Sequence, residues 1–228
     1  MNMKKYLLLV LAAVISVSAF AQGLETAQKK AADNFLANIP DSLKYVSKTF
    51  MPGKVVYTNG EYSNGVFNIC TIDQSVRFMS DGEELSIKDL SQVDRVTIGG
   101  QLYLKKSGSF YQVIDNLDNI LLCVLKKVDI IETKNGSDVQ RTSNVNTYSA
   151  FQKDGQLRNN YSLNAKYRYD EVPYMLRKNT YYMVTEKNLA TFFPTRREQI
   201  REYLKDNRCT FSNPDDVYDL FQYLKQQQ

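Results

Sequence analysis

Between Gly53 and Lys127 the chain is a run of short alternating stretches separated by turn dipeptides, and this run constrains the fold more than any other feature. It opens Gly53-Lys-Val-Val-Tyr-Thr-Asn-Gly-Glu-Tyr and closes Asn119-Ile-Leu-Leu-Cys-Val-Leu-Lys-Lys. Asn59-Gly60, Asp81-Gly82 and Gly99-Gly100 each offer the positive φ that a tight primed hairpin turn requires. Val55/Tyr57, Val76/Phe78, Val96/Ile98 and Leu102/Leu104 recur at period two, which puts each pair on one side of a strand. Six to eight strands fit between Gly53 and Ile131, with further turns at Ser107-Gly108 and Asp118-Asn119. The stretch Ile120 to Val128 is nearly all apolar at its start, which predicts a central strand buried on both faces. The expected fold class is α+β: mainly an antiparallel β meander, as a sandwich or a partly open barrel, with a short N-terminal helix and a C-terminal helical hairpin.

Composition matters most through what is missing. The chain has no histidine, which excludes Ser-His-Asp and Cys-His catalysis and histidine-ligated zinc, copper or non-haem iron. Any enzyme built on it would use carboxylates, Lys, Tyr or a cofactor. Tyrosine is plentiful at 16, and tryptophan is absent. Many tyrosines suit half-buried strand faces, where the ring packs and the hydroxyl stays wet. With 228 residues there is length for one sizeable core or two small ones.

Residues 1–21 read as a secretory signal peptide. Lys4 and Lys5 form the positive region, Tyr6 to Val17 the apolar region, and Ala19-Phe20-Ala21 a small-residue cleavage site. The apolar run is too short to span a bilayer. Cleavage would start the mature chain at Gln22 and leave 27 basic against 25 acidic residues. Such a balance gives no footprint for nucleic acid and no polybasic membrane signal. The expected destination is therefore periplasmic, surface-associated or secreted, with residues 22–228 as one β-rich domain and no transmembrane segment after cleavage.

Leu24, Ala27, Ala31 and Phe35 predict a short amphipathic helix from Gly23 to Asn38, ended by Pro40. From Glu132 to Asn160 the chain is polar and aperiodic, which predicts a mobile excursion from the sheet. Strand-like sequence then resumes. Tyr161, Tyr167, Tyr169 and Thr180-Tyr-Tyr-Met-Val-Thr are interleaved with Arg158, Lys166, Arg168, Arg177 and Lys178. Tyr161, Tyr167, Arg168, Tyr169 and Arg177 are the candidates for a ligand surface, because aromatic and basic side chains together can stack sugars or nucleotides. The ordinary alternative is a hairpin with tyrosines packed across strands.

Two helices are expected at the C-terminus. Thr195 with Glu198 has the spacing of a capping box, with Ile200, Tyr203 and Leu204 as the apolar stripe and Asn207 as a left-handed cap. Asn213-Pro-Asp-Asp is a second start signal, followed by Val217, Leu220, Phe221 and Leu224. The pair is expected to pack as a hairpin or on an open sheet face.

No catalytic, cofactor or metal constellation emerges. Cys70, Cys123 and Cys209 are odd in number, so at least one is unpaired; Cys70 and Cys123 could meet across the sheet, or stay as buried thiols. Glu83-Glu84 are strand neighbours pointing to opposite faces, and Asp215-Asp216 sit in the first turn of a helix, where they complement its dipole. Neither pair forms the facing carboxylates of a glycosidase. There is no glycine-rich phosphate loop and no calcium loop.

Two stretches resemble small secreted proteins of Bacteroidetes whose function is unknown. One is Gly53-Lys-Val-Val-Tyr-Thr-Asn-Gly with Val96-Thr-Ile-Gly-Gly. The other is Phe192-Phe-Pro-Thr-Arg-Arg-Glu-Gln-Ile-Arg-Glu-Tyr-Leu-Lys-Asp-Asn, continuing through Phe211 and Asp215-Asp216 to Leu220-Phe-Gln-Tyr-Leu. The resemblance implies export and a shared fold, and no activity. Asp41-Ser42-Leu43 is similar to the short O-glycosylation motif of such proteins, which marks Ser42; a capping or turn serine is the other reading. The leading functional expectation is an exported, non-enzymatic binding or interaction module of the cell envelope, with an envelope protein or glycan as partner. The alternatives are a carboxylate- or Tyr/Lys-dependent enzyme acting on glycans and a structural envelope component.

Overall fold

A computed structural model describes residues 39–134, 137–140 and 166–226. The signal segment, the amphipathic segment Gly23 to Asn38, residues 141–160 and Tyr161 lie outside the described residues. The fold is that of the unit formed by Asp41–Gly155 and Tyr161–Gln228. It opens with the single-turn helix α1 (Asp41–Lys44), which carries Ser42 exposed on its surface. Eight strands follow before the excursion: β1 (Met51–Tyr57), β2 (Tyr62–Ile69), β3 (Val76–Ser80), β4 (Glu83–Ser86), β5 (Val93–Ile98), β6 (Gln101–Lys106), β7 (Ser109–Leu117) and β8 (Ile120–Lys134). Then come β9 (Ser137–Gln140), β10 (Lys166–Arg177), β11 (Thr180–Met183), and helices α2 (Glu186–Phe192), α3 (Arg197–Asp206) and α4 (Pro214–Gln226). The strands form one antiparallel sheet in the order β11-β10-β8-β7-β6-β5-β1-β2-β3-β4, with β9 paired to the far end of β8. The expected α+β meander is present.

The turn chemistry explains the meander. Both central residues have positive φ at Asp81-Gly82 (52°, 82°), Gly99-Gly100 (55°, 84°), Ser107-Gly108 (48°, 81°) and Asp118-Asn119 (49°, 63°). That is the primed turn whose twist matches the strands it joins. Asn59-Gly60 differs. Only Gly60 has positive φ, and the loop closes through Gly60 N–H to the Tyr57 carbonyl (2.9 Å) and Tyr57 N–H to the Glu61 carbonyl (2.8 Å). Two more residues lengthen this connection, so no primed pair is needed. The excursion expected from Glu132 also begins later than the sequence suggests, because β8 runs on to Lys134 and β9 returns along it.

The registers separate the two faces of the sheet. Val55, Val96, Tyr103, Gln112, Val124 and Pro173 are opposite one another in turn and share the inner face. Both apolar clusters found among the described residues lie on this face. One gathers Val55, Phe67, Ile69, Val76, Val93, Val96, Ile98, Tyr103 and Phe110. It is closed by the chain itself. The connection from β4 to β5 must cross from one side of β1–β2 to the other, and it brings Ile87 and Leu90 onto the cluster. The β2–β3 turn then reaches strands far away in the sheet order: Val128 N–H donates to the Thr71 carbonyl (3.0 Å), and Gln74 Nε2 donates to the Lys126 carbonyl (3.0 Å). Gln74 Oε1 accepts from Phe110 N–H (3.1 Å). The sheet is therefore one curled layer, nearer the partly open barrel than a sandwich.

The second cluster lies where β7, β8 and β10 meet the helices. Leu117, Ile120, Leu122 and Met175 pack against Leu189, Phe193, Ile200, Val217, Leu220, Phe221 and Leu224. The four apolar residues predicted for α4 are all fully buried. Asn213 caps α4 as expected, with its Oδ1 accepting from Asp215 N–H (3.1 Å). A register shift at Ile114 moves Asp115 to the inner face, where it accepts from Gln222 Nε2 (2.6 Å) and pairs with Lys225. This bulge adds one residue to β7 and flips its later side chains.

Leu102 and Leu104 share one side of β6 as expected; it is the outer face, where both are half-buried, because Tyr103 is the inward residue. Other local expectations are corrected. Thr195 and Glu198 form no capping box. Pro194 starts a 3₁₀ turn over Pro194–Arg196 that places Thr195 inside it; α3 then begins at Arg197 without a side-chain cap, and Glu198 pairs with Arg201. Asn207 does close α3, but from an extended backbone (φ −122°): its N–H and its Nδ2 both donate to the Tyr203 carbonyl. Helix α2 was not anticipated. Its signal is Thr185, whose Oγ1 accepts from Asn188 N–H (3.2 Å).

Candidate functional site

The outer face of the same sheet carries the most distinctive surface. Two cross-strand rows build it: Leu104, Tyr111, Leu125 and Val172, and Val113, Cys123, Tyr174 and Met183. Tyr181, opposite Leu176 on the edge strand β11, completes it. Tyr111 is the centre. Its ring meets Tyr174 edge-on (5.3 Å, 88°) and lies over Tyr181 (4.1 Å, 33°). Cys123, between the first two on β8, is fully buried. Such offset and edge-to-face pairs add attraction beyond their buried area.

The three hydroxyls have no protein partner among the described residues, so each ring is packed while its polar end is available to solvent or ligand. Burial is the first cause of the altered acidity of Tyr111 and Tyr181. It pushes the Tyr111 phenol up to about 12, helped by Tyr174 and Cys123, and raises Tyr181 in the same way. Tyr111 and Tyr181 therefore stay neutral donors at physiological pH.

Beyond Leu125 the outer face becomes charged. Asp129, fully buried, accepts from Lys127 (2.6 Å) and from Arg168 (3.3 Å), and Arg168 also binds Asp170 (2.8 Å). The tyrosine platform thus ends in a ladder of alternating charge.

The structure divides the five surface candidates. Arg168 lies on the outer face with the platform. Tyr167, Tyr169 and Arg177 have the opposite parity on β10. Tyr169 is half-buried and donates to Glu171 (2.6 Å), and Arg177 sits over the Phe192 ring of α2 (5.4 Å). Tyr167 is exposed, and Tyr161 is outside the described residues. Tyr111, Tyr174 and Tyr181 form the surface instead. Alternation in Val172-Pro-Tyr-Met-Leu signals the face of Tyr174, but only the long-range pairing of β10 with β8 brings it to Tyr111.

The carboxylate pairs stay separate. Glu84, on the exposed edge strand β4, accepts from the Tyr45 hydroxyl at both oxygens (2.9 and 2.8 Å) and faces Arg77 at 3.7 Å. Asp216 accepts from Thr210 N–H (2.8 Å) and Asn213 Nδ2 (2.9 Å), which is a helix-capping role. Among the described residues no group of three or more acidic or cysteine side chains could hold a metal ion. Cys70, Cys123 and Cys209 are all free thiols. No helix of the described residues is long and apolar enough to cross a membrane. Comparison with known proteins finds no matching family, no matching curated relative and no matching solved structure.

Proposed function

We propose that this chain is an exported binding module of the cell envelope and that its outer-face tyrosine platform holds a glycan. The observation that carries this reading is the Tyr111–Tyr174–Tyr181 cluster, whose rings are fixed against one another while their hydroxyls have no protein partner among the described residues. Sugars present both C–H faces that pack on aromatic rings and hydroxyls that bond to phenols. The charged ladder beside the cluster is a polar margin of the kind that orients such ligands. Export rests on the tripartite segment at residues 1–21, and with it the resemblance to secreted Bacteroidetes proteins.

Two experiments test the two parts. Fractionation followed by intact-mass analysis should find the mature protein starting at Gln22 or its cyclised form; retained Met1 in an envelope fraction removes the export reading. Retention on envelope polysaccharide columns should be lost in Tyr174→Ala and weakened in Tyr174→Phe and Tyr181→Phe, with unfolding curves unchanged for the Phe variants. Undiminished retention of folded Tyr174→Ala would overturn the platform. Capture of an envelope protein in place of polysaccharide would move the reading to a protein-interaction module.

A further inference from the structure

A cleft of about 280 Å³ separates α2 from α3, on the helix layer over the inner face and away from the tyrosine platform. Its walls follow from helical spacing. Glu186, Lys187 and Ala190 are one turn apart on α2; Arg197, Ile200 and Arg201 are one turn apart on α3. Ile200, only 1 % exposed, and Ala190 make an apolar floor. Three cations against one carboxylate make the rim positive.

The cations differ in how they are held. Arg197 Nε donates to the Ala190 carbonyl (3.0 Å), which orients the guanidinium at the mouth without neutralising it. Arg77, Arg95, Arg168 and Arg196 each face a carboxylate, whereas Arg197 has none among the described residues. Arg201 pairs with Glu198 at 2.9 Å, but both side chains are mostly in water (65 % and 85 % exposed), so an anion in the cleft can compete for it. Lys187, exposed at the rim, supplies a third charge.

We infer that this cleft is a second binding site, for a carboxylate carried on a compact organic body of about one sugar ring. A planar guanidinium fixed by one of its N–H groups still presents a pair of donors that match a carboxylate. The volume, at the small end of ligand sites, admits a single ring and not a chain. The floor of Ile200 and Ala190 takes the apolar side of that ring.

The test uses the mature chain, nitrogen-15 labelled, titrated with glucuronate, glucose and inorganic phosphate. Glucuronate should shift α2 and α3 resonances saturably, and glucose should not. Arg197→Gln should weaken glucuronate by about tenfold, the equivalent of one hydrogen bond to a charged group. Arg201→Gln should weaken it less, and Tyr174→Ala not at all. That last result separates this site from the platform, so either can fail alone. Equal shifts from glucose, phosphate as tight as glucuronate, or full affinity in a folded Arg197→Gln would each overturn the assignment.

Discussion

One face of one sheet is closed in two different ways. Over β1–β3 and β5–β6 the sheet covers itself, with the β4–β5 crossover as floor and the Thr71–Gln74 turn fastened to β7 and β8 by hydrogen bonds. Over β7, β8 and β10 it is covered by α2, α3 and α4, whose buried side chains are almost all apolar. The helix-covered half stores its stability in burial, which is large and non-directional. The self-covered half depends more on a few buried polar groups, which contribute little net energy when paired and cost much when orphaned. β7 contributes Phe110 to the first cluster and Leu117 to the second, so the halves share a strand and should melt in one transition.

The largest test falls on the helix-covered half. Phe221 is fully buried and meets Phe193 edge-on at 5.8 Å. Phe221→Ala should cost about 3–5 kcal/mol in a urea melt, the usual range for truncating a core phenylalanine. Asp219→Ala, on the exposed side of α4, is the control and should stay within about 0.5 kcal/mol. Gln222 would be a poor control, since it donates to Asp115 (2.6 Å). A Phe221→Ala melt that overlays wild type would mean that the helices do not hold this half.

The matching test on the self-covered half is Gly53→Ala. A Cβ at Gly53 would stand 2.1 Å from the Thr97 carbonyl oxygen of β5, a backbone atom that no rotamer change can move away. The strands must part, at about 3 kcal/mol, the upper end of overpacking costs. A smaller loss, about 2 kcal/mol, is expected for Gln74→Ala. It removes the acceptor of Phe110 N–H, the Gln74 donor to the Lys126 carbonyl and one of the two donors to the Thr71 carbonyl, and so leaves the buried Phe110 N–H without that partner. If Gln74→Ala is neutral, the seam does not fasten this half and the contrast between the two closures fails.

The contrast also explains what could be read from the residues. Glycine turns, the double-faced strand β8 and the stripe Val217, Leu220, Phe221, Leu224 are periodic or conformational signals, and they led to the right elements. The seam is not periodic. Gln74 sits in a turn with φ 54° and bonds to residues 36 and 52 positions away, which no local pattern encodes. The bulge at Ile114 is equally silent, and it decides that Asp115 faces the helices. The candidate surface was half legible. The density of tyrosines marked the region, but alternate residues of β10 go to opposite faces. Tyr167 and Tyr169 therefore separate from Arg168, and the real cluster assembles from β7, β10 and β11 through pairings of long range.

The smallest effect compares the halves most directly, because each contains a thiol. Cys70 directly follows β2 in the self-covered half, bridged to Tyr45, and Cys123 lies in β8 behind the helix-covered half. Burial pushes both up to about 12, with Asp73 adding to the rise at Cys70. An unfolded thiol ionises near pH 8.5. Below that both states hold the proton and the contribution to stability is complete. As pH rises from about 8.5 towards 12 the unfolded chain loses protons that the folded chain keeps, so stability must fall across that window. Cys70→Ala and Cys123→Ala should each flatten this alkaline loss. Cys209, half-buried at the start of the α3–α4 connection with its thiol at about 11, should label first with a thiol reagent at pH 8. The informative step is the second. If a hydrogen-bonded seam opens more readily than a helix-covered core, Cys70 labels before Cys123 in the native state, and Gln74→Ala advances Cys70 alone. Equal rates at the two cysteines, moving together in Gln74→Ala, would show that the halves open only as one body and that the two closures are equivalent in strength.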